Sequence, residues 1–138
     1  LTLVSCFSSS PTNTQTVTFA IIGTHNLHGA AFPAQLIRSD DTSVKYLYGG
    51  LQYMGRLIEI IQNEYDGNVL YLDAGDQFQG GIESSKLVSS GKIMNDFYDS
   101  LNLNASAIGN HEFDFGPSFL FPFMSSKQAP NLAANIRS

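Results

Sequence analysis

The chain is poor in several residue types, and each shortage bears on what it can do. Cysteine occurs once, as Cys6, so no internal disulfide can form and cysteine usage leaves the redox compartment open. Basic residues are few: seven Lys and Arg stand against twelve Asp and Glu, with no basic run and no arginine interleaved among aromatics. That balance argues against binding a nucleic-acid polymer, which needs cations to neutralise successive phosphates. A single nucleotide held by other means would need no such patch. No apolar run approaches the ~20 residues of a membrane-spanning helix. Histidine appears three times only, as His25, His28 and His111, so any imidazole chemistry falls on these.

What is present suits one globular domain. A length of 138 residues with 43% hydrophobic content can bury a real core. Residues 1–16 are Ser/Thr-rich and read as a disordered leader outside that core, with the domain over 17–138. Leu1-Thr2-Leu3-Val4-Ser5-Cys6-Phe7 before Ser8-Ser9-Ser10-Pro11 looks like the tail of a signal-peptide apolar region, which implies a secreted or cell-surface protein. A short leader or tag scar is the alternative. With no initiator Met and an abrupt end at Ser138, the chain reads as a piece of a longer protein.

Apolar and polar periods alternate along the domain. Short apolar runs at Val17–Ile22, Val69–Leu72, Ala105–Ile108 and Asn131–Ile136 read as strands, the first reaching about residue 23. Leu51, Met54, Ile58, Ile61 and Tyr65 recur at steps of three and four, which predicts a helix from Gly49-Gly50 to about Glu64 with one face on a sheet. Asp66-Gly67-Asn68 ends it. A second helix is expected near 92–101 with Met94, Phe97 and Leu101 inward, and Asn102 and Asn104 bracket the turn that follows. The long connection from Ala30 to Tyr48, with Asp40-Asp41 as a turn, is a functional or insertion loop by its length. Pro117 suits the first turn of a short helix, and Pro122 should bend or end it. The alternation specifies an α/β fold with a mainly parallel sheet.

Three polar segments each follow one of these strands: Thr24-His25-Asn26-Leu27-His28-Gly29, Asp73-Ala74-Gly75-Asp76-Gln77-Phe78-Gln79-Gly80, and Gly109-Asn110-His111-Glu112-Phe113-Asp114. Loops at the carboxyl ends of parallel strands converge on one crevice, so these residues can meet. Imidazole, carboxylate and amide oxygen together are the donors of a hydrolytic metal centre. Asp76, between a buried strand and the end of its loop, needs a cation or a cap; Asp73 at the strand end suits a structural role, holding the loop by backbone hydrogen bonds. Glycines 29, 75, 80 and 109 give the backbone clearance around the site. Phe113, Phe115, Phe119, Phe121 and Phe123 read as core or interface surface rather than a base-stacking platform.

In these segments, with Gly49-Gly50 and the closing Asn131-Leu132-Ala133-Ala134-Asn135-Ile136, the chain resembles the 5′-nucleotidase family of calcineurin-like metallophosphoesterases from about Thr18 to Ile136. The resemblance implies the N-terminal half of a four-layer α-β-β-α sandwich and a catalytic centre with two divalent ions, zinc, manganese or similar. It places Asn26, His28, Asp76 and Asn110 at metal-ligand positions, with Asp76 bridging. His111 becomes the catalytic group that stabilises the transition state, Asp114 the carboxylate that orients it, and Asn110 and His111 the contacts to substrate. The implied reaction is hydrolysis of a nucleoside monophosphate or related phosphoester by a metal-activated water.

Two departures qualify that expectation. The family's first loop ordinarily reads Asn-Asp-x-His, whereas His25-Asn26-Leu27-His28 offers an amide where a carboxylate is expected. The family's closing histidines, one in a Gly-His-x-His segment, have no match before Ser138. Asp76 and a bridging hydroxide would offset only half the charge of two divalent ions, so this chain alone is expected to bind a metal pair weakly or not at all. His25 can substitute as a ligand only if it turns toward the site. The alternative reading is therefore a non-catalytic pseudoenzyme, a structural or binding subunit whose bare sheet face is covered by a protein partner.

Overall fold

The computed structural model describes residues 2–4, 16–40, 42, 45–78 and 91–136. Four strands carry the predicted parallel sheet: β2 (Ala20–Thr24), β5 (Val69–Asp73), β6 (Ala105–Ala107) and β7 (Asn131–Leu132). They lie side by side in that order and all run parallel. An antiparallel strand, β1 (Thr2–Val4), closes the edge beside β2, with Thr2 opposite Gly23 and Val4 opposite Ile21. That corrects the assignment of this stretch to a leader outside the sheet: the open edge of β2 offers unpaired backbone groups, and an extended apolar segment satisfies them. Of the rest of the expected leader, residues 1 and 5–15 lie outside the described residues, as do Asp41 and Gly80.

Among the described residues three helices complete the layer: α1 (Leu51–Glu64), α2 (Lys92–Ser100) and α3 (Pro117–Ser126). The α1 stripe packs as its spacing requires, with Leu51, Ile58 and Ile61 buried and Met54 and Tyr65 lying against the core. Burying each such side chain contributes about 1.5–3 kcal/mol. No side chain caps the first turn of α1; instead Leu51 N–H donates to the carbonyl of Ala31 at 3.0 Å. Its far end is closed by the positive-φ pair Asp66-Gly67, whose Gly67 N–H reaches back to Gln62 O at 2.8 Å. The shared core joins Ala20, Ile22 and Tyr71 of the sheet to Ile58 of α1, Met94 and Tyr98 of α2, and Phe123 of α3.

Other expectations change in the folded chain. The connection from Ala30 to Tyr48 contains an exposed hairpin, β3 (Ala34–Ile37) antiparallel to β4 (Lys45–Tyr48). Pro122 does not end α3, which runs on to Ser126. The lost backbone donor is outweighed by burial of Leu120 and Phe123 on either side and by Asn95 Nδ2 donating to Phe123 O at 2.9 Å. β7 covers two residues rather than six, because the backbone turns at Ala134-Asn135, where Ile136 N–H donates to Ala133 O. Asn104 ties the lower rim of the sheet: its Oδ1 accepts from Tyr71 N–H at 2.7 Å and its own N–H donates to Tyr71 O at 2.8 Å.

The described helices and buried side chains gather on one face of the sheet. On the other face, where alternate residues point, Leu70, Leu72 and Leu132 are exposed. Gly23, Leu72, Ala105, Ala107 and Leu132 border an apolar groove of about 320 Å³ there.

Candidate functional site

The three polar loops meet at the carboxyl end of the sheet, and backbone hydrogen bonds hold them together. Asn26 N–H donates to Gly75 O, His28 N–H to Asp76 O, and Gly29 N–H to Gln77 O, at 3.0, 3.0 and 2.9 Å. Such cross-loop pairing requires unusual backbone: Asn26, His28 and Asp76 all have positive φ, between 49° and 56°. Non-glycine residues are uncommon in this region, and Asn, Asp and His are the types that enter it most readily. The third loop joins through the Asp76 carboxylate, whose Oδ1 accepts from His111 N–H at 2.9 Å. Asp76 thus touches the loops carrying His28 and Asn110.

Glycines permit this approach at two points. A Cβ on Gly75 (φ 95°) would fall 2.6 Å from Gly109 N, and one on Gly109 would overlap Asp76 Oδ1. Clearance, as expected, is their contribution.

Glu112, which the sequence did not single out, locks the arrangement from behind. It is 3% exposed, yet its carboxylate accepts three backbone N–H groups: Gly109 at 2.6 Å and Asp76 at 2.9 Å on Oε2, Gln77 at 2.7 Å on Oε1. Bonds to an ionised acceptor are the strong kind. Asp73 has the structural role its position suggested. Its Oδ1 accepts from Gly75 N–H and Gln77 Nε2, and its Oδ2 from Thr24 Oγ1 and Tyr98 OH, all within 2.6–3.0 Å. Burial first, then the neighbouring Asp73 charge, holds the Tyr98 phenol well above its ordinary value, so it stays a donor.

At the front, His28 and His111 lie edge to face with ring centroids 5.1 Å apart. His111 Nδ1 sits 2.7 Å from Asp114 Oδ2, in a half-exposed pair. The hydrogen bond to Asp114 raises His111 above its ordinary value; desolvation opposes this, and the charges of Asp114, Asp76 and Glu112 add to it. With Nδ1 engaged by the carboxylate, Nε2 is left to act on a ligand. Asp114 follows the short 3₁₀ turn His111–Phe113, so it serves His111 rather than capping α3, whose N-cap is Gly116. The Asn26 and Asn110 side chains are exposed, as is His25. The aromatics divide: Phe123 is buried and Phe119 packs against the core, both on Phe78 at 4.6 and 4.8 Å, whereas Phe113, Phe115 and Phe121 are exposed.

The residues expected as metal ligands comprise one carboxylate, Asp76, one imidazole, His28, and two amides, Asn26 and Asn110. No three His, Cys, Asp or Glu side chains among the described residues form a group able to hold a metal ion. Two divalent ions require a largely anionic or imidazole shell, and this donor set falls short of it.

A second buried group was not legible beforehand. Lys127, 6% exposed at the end of α3, donates from Nζ to Gln77 Oε1 at 3.0 Å and to Ser106 Oγ at 2.7 Å. Burial lowers its ammonium to about 8, against the opposing charges of Asp73, Glu112 and Asp99.

No protein-family model matches the chain. It is 36% identical over 124 residues to 5′-nucleotidase of Mus musculus, covering 86% of this chain and 20% of that protein. It is 42% identical over 91 residues to snake venom 5′-nucleotidase of Naja atra, covering 65% and 17%. Among solved structures, the 5′-nucleotidase precursor of Thermus thermophilus superposes with a TM-score of 0.70 at 30% identity, over 85% of this chain and 22% of that one. The calcineurin-like phosphoesterase YfkN of Bacillus subtilis, at 23% identity and a TM-score of 0.66, shares the fold over 83% of this chain and 36% of that one. The chain spans about one fifth of the length of these curated relatives. With a mainly parallel sheet whose three carboxyl-end loops are joined through Asp76, the chain belongs to the 5′-nucleotidase family of metallophosphoesterases.

Proposed function

We propose that this chain forms one wall of a metal-dependent nucleotidase centre that releases phosphate from a nucleoside monophosphate. The observation that carries the reading is the His111–Asp114 pair, 2.7 Å apart, beside His28 and against Asp76. His111, its imidazole pKa raised above the ordinary value by the hydrogen bond to Asp114, would donate from Nε2 to a phosphoryl oxygen or to the departing ribose oxygen, stabilising charge as it develops. Asn110 next to it would position the phosphate. Asp76, His28, Asn110 and Asn26 would be this chain's share of the ligands for divalent ions, which activate water and polarise the phosphoryl group when bound. The donor set needs completion from outside the described residues. By analogy with the venom relative, we place the protein in the secretory route.

The test is hydrolysis of AMP by the protein expressed from its own gene, with manganese or zinc supplied. Phosphate release abolished by Asp76→Ala and by His111→Ala supports the reading; wild-type protein that releases none over a metal titration refutes it.

A second reading is favoured by the shortfall of anionic ligands and by the exposed Leu70, Leu72 and Leu132 on the sheet. On that reading the chain is a non-catalytic subunit whose bare sheet face docks a protein partner. Inactive wild-type protein that sediments with a partner, and is released by Leu72→Glu, would establish it.

A further inference from the structure

Lys127 is a buried cation with no ion-pair partner among the described residues. Its Nζ touches only neutral oxygens, Gln77 Oε1 and Ser106 Oγ, and lies 5.6 Å over the rings of Tyr98 and Phe123. An ammonium in such a place is costly, and an apolar side chain of similar length would pack there more readily. Its presence therefore calls for something that only a charge or a strong donor can do.

The hydrogen-bond directions supply the answer. Ser106 Oγ donates to Asn131 Oδ1 at 3.0 Å, so toward Lys127 it can only accept. Gln77 presents Oε1 to the ammonium and Nε2 to Asp73 Oδ1 at 2.8 Å; reversing the amide would set oxygen against carboxylate and nitrogen against ammonium. Lys127 and Asp73 thus fix Gln77 from both ends, and Gln77 is the residue after Asp76. Asp73 and Glu112 are both buried, both brace this loop through backbone N–H groups, and both act on Lys127 through space. The ammonium thus sits where two buried carboxylates act on it, behind a third, Asp76. The groups facing Lys127 are Asp73 on β5, Tyr98 and Asp99 on α2, Glu112 on the 3₁₀ turn and Gln77 on the loop between.

We propose that Lys127 is a positioning residue for the candidate site: its buried ammonium, through Gln77 and the carboxylates of Asp73 and Glu112, keeps the Asp76 loop against His111. The proposal rests on the site assigned above but makes no contact with substrate or metal.

Amide hydrogen exchange and kinetics, run on the same proteins, separate the two. In Lys127→Met, exchange at Gly75, Asp76 and Gln77 should accelerate about tenfold or more while α1 amides keep their rates. With manganese or zinc and AMP, kcat should fall about tenfold with KM changed less than threefold. Ser106→Ala removes the other acceptor and leaves the Gln77 contact, so it should change both readouts less than threefold. Equal effects from the two variants would reduce Lys127 to a tie between α3 and the sheet, and unchanged exchange in Lys127→Met refutes the proposal outright. Loop exchange that accelerates in a protein whose wild type hydrolyses nothing sustains the positioning role and sinks the enzymatic reading. The wild type alone gives an arm independent of variant folding. As pH rises through about 8 the ammonium is lost, and local openings that move the loop away while Lys127 stays buried should grow more frequent, so exchange at the three loop amides, divided by intrinsic rates, should climb relative to α1; parallel behaviour overturns the proposal.

Discussion

Replacing Glu112 with glutamine changes one oxygen to an amide nitrogen and should cost far more than its size suggests. The carboxylate accepts from Gly109 and Asp76 on one oxygen and from Gln77 on the other. A glutamine can keep its carbonyl where two donors converge, leaving its NH₂ facing the Gln77 N–H. Gln77 is 1% exposed, so that donor finds no water. One unsatisfied buried donor costs about 1–3 kcal/mol, and turning two charge-assisted bonds into neutral ones loses about 1 kcal/mol each. Relief from burying a carboxylate works the other way, though incompletely, because in the wild type the charge is already met by three donors. The net loss should be about 2–4 kcal/mol, against about 5–15 kcal/mol for a whole domain.

Urea denaturation followed by circular dichroism measures this directly. Glu112→Gln should lower the midpoint without changing the slope, since the exposed surface is the same in both proteins. Glu112→Ala, which leaves all three donors unmet, should lose more than Glu112→Gln. A loss below about 0.5 kcal/mol for Glu112→Gln, the range of an ordinary surface substitution, would refute the claim that this carboxylate clamps the loops.

Three further outcomes follow from the same geometry. Gly109→Ala should be more damaging than either Glu112 change, at several kcal/mol or no folded protein at all, since its Cβ overlaps Asp76 Oδ1; a thermal midpoint within a few degrees of wild type would contradict that. Lys127→Met should remove a pH dependence of global unfolding: the folded pKa of about 8 lies below the ordinary 10.5, so below pH 8 the wild type bears the full penalty of a buried ammonium, and between 8 and 10.5 it gains stability relative to the variant by about 3 kcal/mol, read from denaturation midpoints across that range. Asn26→Asp restores a carboxylate on a backbone of φ 52° that Asp tolerates, and should raise manganese or zinc affinity about tenfold by calorimetry; an unchanged isotherm would place residue 26 outside the metal shell.

Much of this was readable from the residues, and the failures share a cause. The α1 stripe and the mainly parallel character of the sheet follow from local period and the alternation of strand and helix, whereas the side-by-side order of the strands appears only in the folded chain. His28, Asp76, His111 and Asp114 stood out because each follows a strand in a short polar segment, and the fold brings all four together. Pro122 misled because a local rule was overridden by packing of Leu120 and Phe123, which no single-residue propensity contains. β1 was missed because pairing with β2 across about twenty residues leaves no periodic trace. Lys127 gave no signal at all: its partners, Gln77 and Ser106, lie 50 and 21 residues away.

That last case bears on how the site is built. Two buried carboxylates, on Asp73 and Glu112, act on backbone and side-chain donors behind the loops rather than on the front, where, among the described residues, Asp76 and Asp114 face the histidines. A site that concentrates its anions in bracing fixes the direction of each group at the front, so that the side chain at position 26, which is exposed, can change without loosening the loops. Loop geometry and metal affinity are then separable properties. Asn26→Asp should therefore move metal binding with the Gly75, Asp76 and Gln77 amides unchanged, whereas Glu112→Gln should move the amides first and metal binding only through them.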